Sequence, residues 1–191
     1  MPSKFLPKVP TLTDSSIFEK LKGESGWYEQ AKIKGQRLII ADGIAYDDNG
    51  QKFEGDTRQT LGSVVNRLNG LYGESIYDVV YIDRGQNEGK VALIDIPSLD
   101  ACYSHRHMVV KAFNPCAAGN EEQIKYDLFA LPSIEQSNDG PKGEFWKAIK
   151  DIVDSSKELP FCGVVLKNSQ HRFNWAAESN EKDKWWAVDF E

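Results

Sequence analysis

Cysteine, histidine and methionine are scarce here, at three, three and two of 191 residues. Cys102, Cys116 and Cys162 are odd in number and have no CxxC spacing, so neither a disulfide framework nor a zinc ribbon is indicated. That usage points to a reducing, cytoplasmic setting. No apolar run approaches the roughly 20 residues that cross a bilayer, so no membrane segment is expected. The first residues, "MPSKFLPKVPTLTDSS", hold three prolines and no continuous apolar stretch, which excludes a secretory signal. Positive charge is not in excess: the net charge of −6 argues against wholesale binding to nucleic acid or an anionic surface.

What is present is enough apolar material for a packed domain. Hydrophobic residues make up 40% and aromatics 11%, enough to offset the entropy of ordering the chain. Pro2, Pro7 and Pro10 set residues 1–13 apart as an extended arm whose Phe5 and Leu6 could anchor on another chain, leaving 14–191 as one domain.

Within the domain, Ser16 and Glu19 have capping-box spacing before a first helix that Gly23 would end. "GWYEQAKIKG" and "QRLIIADGIAYDD" have β character, and Asn49-Gly50 suits a type I′ turn. Leu61, Val64, Val65 and Leu68 form a helical stripe with Gly70 as stop. "SIYDVVYID", "KVALIDI", "YSHRHMVVKAF" and "IKYDLFAL" are read as strands, and "SIEQSNDGPKG" as a loop. Trp146, Ile149 and Val153 mark a third helix, and "FCGVVLK", "HRFNWAAE" and "WWAVDFE" three final strands. Strands outnumber crossover helices. The expected fold is a single α+β domain, a mostly antiparallel or mixed sheet with about three helices packed on it.

No complete catalytic motif is present. If "YSHRHMVV" is a strand, His105 and His107 share one face and could bind a divalent metal, with His171 as a third ligand; no other cofactor is indicated. Cys102 with His171 as base is the corresponding nucleophile arrangement, that of a Cys/His hydrolase. On a strand, Cys102 itself points away from His105 and His107.

The adjacent pairs Trp27-Tyr28 and Trp185-Trp186, with Trp175, suit a binding face, since large rigid rings bury much area with few rotors. Lys32, Lys34 and Arg37 make a local basic strip that the total charge opposes. The reading that follows is a non-enzymatic protein-binding or assembly module: an inhibitor, an immunity-type protein or a component of a virion or other complex. Its partner would be a protein or a second copy, and nucleic acid is not expected. The alternative is a metal-assisted or Cys/His hydrolase using the His105/His107 cluster.

Overall fold

The computed structural model describes residues 11–12, 24–54, 58–83, 88–113, 128–131, 133–136, 161–172 and 185–189, with isolated positions at 16, 20, 21, 85, 144, 147, 148 and 151. Among them ten strands and two helices are bounded. The strands are β1 (Thr11–Leu12), β2 (Trp27–Ile33), β3 (Gln36–Ala41), β4 (Ile44–Tyr46), β5 (Tyr77–Tyr81), β6 (Val91–Asp95), β7 (Leu128–Ala130), β8 (Ser133–Glu135), β9 (Phe161–Asn168) and β10 (Trp185–Asp189). The helices are α1 (Arg58–Tyr72) and α2 (Tyr103–Phe113). The fold is mixed α+β, as expected, but it has two bounded helices and two five-stranded sheets. Sheet A has the order β1-β10-β9-β2-β8 and sheet B the order β4-β3-β5-β6-β7. Pairing is antiparallel except for β1 with β10 and β6 with β7.

Alternation places one face of sheet B against α1. Leu38, Ile40, Val79, Tyr81, Val91 and Leu93 form a core with Leu61, Val64, Val65 and Leu68. The helical stripe is as expected. Its end is not: Gly70 lies inside the helix and Gly73, at φ 73°, closes it by donating its amide to the Asn69 carbonyl at 2.9 Å. The opposite face of sheet B, with Val80, Ile82, Ala92, Ile94 and Phe129, packs on Ala31, Ile33, Phe161 and Val164 of sheet A.

Two local expectations change. Asp42 and Gly43, at φ 51° and 71°, make the two-residue turn between Ala41 and Ile44, so the type I′ turn lies at "ADGI". At Asn49-Gly50 the Asp47 side chain instead accepts from the amides of Asn49 and Gln51, an Asx-type turn. "SIE" is strand β8, not loop. The end of the Pro-containing arm, Thr11–Leu12, adds to the β10 edge of its own sheet. Residues 1–10, the bounds of the first expected helix, Trp146, Ile149, Val153 and most of "HRFNWAAE" lie outside the described residues.

Candidate functional site

β2 lies in sheet A between β9 and β8, and β3, the next strand in the chain, lies in sheet B, so Lys34-Gly35 is the passage from one sheet to the other. That passage is tight. A Cβ at Gly35 would lie 2.4 Å from the Tyr81 carbonyl oxygen, so only glycine lets the chain lie this close to β5. The passage carries the basic strip. Lys34 is exposed, Lys32 is about a third exposed, and Arg37 is directed inward. Arg37 Nε and Nη2 donate to the two oxygens of buried Asp78 at 2.9 and 2.7 Å, a forked pair that fixes the start of β3.

Cross-strand register sets the neighbours of Lys32. It pairs with Gly163 of β9, which in turn pairs with Asp189 of β10. Directly opposed residues share a face, so the three form a row with no side chain in the middle. A Cβ at Gly163 would come 2.1 Å from the Val188 carbonyl oxygen, so this glycine permits the close approach of β10. The Lys32 ammonium spans the vacant position and pairs with the Asp189 carboxylate. Cys162, the extra residue at a bulge opposite Lys32 and Ile33, lies in the same neighbourhood. Burial pushes its thiol up, and the charges of Lys32, Asp189 and Lys34 act on it as well.

Two residues further along each strand the same face closes over. Gln30 donates to the Ile94 carbonyl at 3.2 Å, and Tyr28 lies opposite Lys167. Here the face meets α2 in a buried ionic cluster. Arg106 Nε and Nη2 donate to the Asp95 oxygens at 2.9 and 3.2 Å, while Nη1 reaches the carbonyls of Ala101 and His171. Lys167 Nζ lies 4.0 Å from Asp95 and 4.7 Å from the centre of the Tyr103 ring. Burial pushes the Lys167 ammonium down to about 8, partly opposed by Asp95 and Asp78. Burial alone would raise Asp95, but Arg106 and Lys167 outweigh it and hold the carboxyl below the usual range. Tyr28 donates its hydroxyl to Glu135 at 3.1 Å and packs edge-on against Tyr103 and beside His107.

The histidine pair does not form. "YSHRHMVVKAF" is helix α2, and residues two apart on a helix point to nearly opposite sides, so His105 is exposed and His107 buried. His171 is buried and reaches the helix through its carbonyl, which accepts from the Tyr103 amide at 2.8 Å. Among the described residues no three His, Cys, Asp or Glu side chains come together as a metal site. Cys102 precedes α2 with Sγ 3.1 Å from Ser104 Oγ, and that contact lowers its thiol. Trp27 and Tyr28 are both buried, so neither is an outward anchor, and Trp186 is half-buried against Trp27, Leu166 and Val188. Trp185 occupies the β10 position opposite Lys167. Trp175, Phe5 and Leu6 lie outside the described residues.

Sequence reasoning missed Gly163, Lys167 and Asp189. A glycine inside "FCGVVLK" is itself a signal, because glycine in an apolar strand marks a close backbone approach.

No protein-family model and no curated protein matches the chain. Solved structures do. The Chlorella virus DNA ligase-adenylate aligns with TM-score 0.60 at 14% identity over 95% of this chain and 67% of its own. Mycobacterial DNA ligase D complexed with ATP and MES gives 0.59 at 12% over 99% and 61%. A Lig E DNA ligase, described as binding DNA with a minimal scaffold, gives 0.56 at 10% over 97% and 70%. The chain spans between 46% and 70% of the length of such neighbours. These neighbours overturn the expectation of a non-enzymatic protein-binding or assembly module with no nucleic-acid connection. The fold of this chain is one shared with DNA ligases.

Proposed function

We propose that the chain is a nucleotide-binding domain of the DNA-ligase type, with Lys32 and Lys34 taking the phosphates of ATP. The observation that carries this reading is the position of the two lysines. They stand at the passage between the two sheets of a ligase-like fold, where one face of sheet A changes from closed to open. An ammonium held on a strand is a preformed partner for phosphate oxygen, and such charged hydrogen bonds contribute about 1.5–3 kcal/mol each. Gly163 keeps the position beside Lys32 free of a side chain. Gln30, Val165 and Ala187 continue the same face inward, where it is buried, so the open end of the row lies at Lys32.

The Lys32 side chain, held in its ion pair with Asp189, is placed to take phosphate oxygen. Titration calorimetry with ATP tests the assignment. K32A should weaken binding by roughly 10- to 100-fold, the equivalent of one charged hydrogen bond. Equal affinity in K32A and the unaltered chain would remove Lys32 from the site, and no binding by either would remove the ATP reading.

A further inference from the structure

Resting on that reading, we propose that Asp189 is an internal anion that occupies Lys32 until a phosphate displaces it, and so sets the affinity of the site. The ion pair joins residues 157 apart in sequence, and it exists because three strands align Lys32, Gly163 and Asp189 in one row. Both partners are partly open, at 30% and 45% side-chain exposure, so an incoming anion can reach the ammonium and the released carboxylate can turn to water. Among the described residues, Asp78 is forked to Arg37, and Asp48 lies 3.8 Å from Arg37. Asp189 is thus the carboxylate the structure pairs with Lys32.

A ligand phosphate and a carboxylate cannot both take the same face of one ammonium without placing two anions side by side. Binding therefore breaks one ion pair and makes another, and the net gain is smaller than that of an unoccupied lysine. The chemical class selected is a multiply charged one. A di- or triphosphate can outcompete a single carboxylate, while a monophosphate gains little by the exchange.

The experiment compares the unaltered chain with D189N, which preserves shape and removes the charge. ATP affinity should rise several-fold in D189N, because the phosphate no longer has to displace a carboxylate. In parallel, amine-directed acetylation followed by peptide mass spectrometry reads Lys32 with no nucleotide present. Lys32 should label several-fold faster in D189N, with exposed Lys34 unchanged as the internal control. Unchanged Lys32 labelling would overturn the role of Asp189 whatever the nucleotide does. Faster labelling with no ATP binding by either protein would leave Asp189 as the partner of Lys32 and sink the nucleotide reading alone. Equal ATP affinity in two binding-competent proteins would refute the competition.

Discussion

His107 shows what a misread residue does once its surroundings are known. It is buried between Tyr28 and Tyr103, with Lys111 on its own helix and Lys167 and Asp95 facing it from the sheets. Burial first, then the charges of Lys111 and Lys167, lowers its imidazole to about 4, against the opposing pull of Asp95. The folded state thus holds it neutral while the unfolded chain takes up a proton below about 6.5. Stability must then fall as pH drops from 6.5 toward 4, since the unfolded state binds the extra proton throughout that window. Thermal melts of H107Q should show a flatter decline than the unaltered chain over that range. A decline of equal steepness would mean that His107 does not carry the effect.

At the scale of the element, β5, β6 and α1 were legible because their buried positions are mostly apolar. β5 and β6 are continuously buried, and α1 buries Leu61, Val64, Val65 and Leu68. α2 was not legible for the converse reason. Its buried face is Tyr103, Arg106, His107 and Val110, a correct i, i+3, i+4, i+7 series in which two of four members are polar. Tertiary ion pairing with Asp95 makes those positions buriable, and that pairing cannot be seen in the local sequence. The basic strip was visible as composition, but its partner Asp189 depends on register across three strands. The key to that register is Gly163. G163A would press a methyl group onto the β10 backbone, at a cost of about 1–3 kcal/mol for an overpacked contact. Urea unfolding should report that loss. A neutral result would mean β10 can move aside freely.

In the molecule as a whole, the Asp95–Arg106–Lys167 cluster joins parts that, among the described residues, share no backbone hydrogen-bond ladder. Asp95 ends β6 of sheet B, Lys167 lies in β9 of sheet A, and Arg106 is on α2. Arg106 also fixes the carbonyls of Ala101 and His171, so one guanidinium binds three segments. R106L leaves Asp95 buried with its best partner gone, which costs about 3–5 kcal/mol. Equilibrium denaturation should show that loss together with a lower midpoint. If R106L unfolds like the unaltered chain, the cluster is not what couples the sheets.

The long reach of the Lys32 pair also fixes an order of assembly. Sheet B draws its strands from residues 36–130, whereas sheet A needs β9 and β10 and so waits until residue 189 has been made. During synthesis a chain grows from its first residue, and contacts between distant positions form late. Lys32 is made 157 residues before the partner it pairs with. A chain made only as far as β9 has Lys32 without Asp189, and the ion pair forms once β10 pairs alongside Gly163.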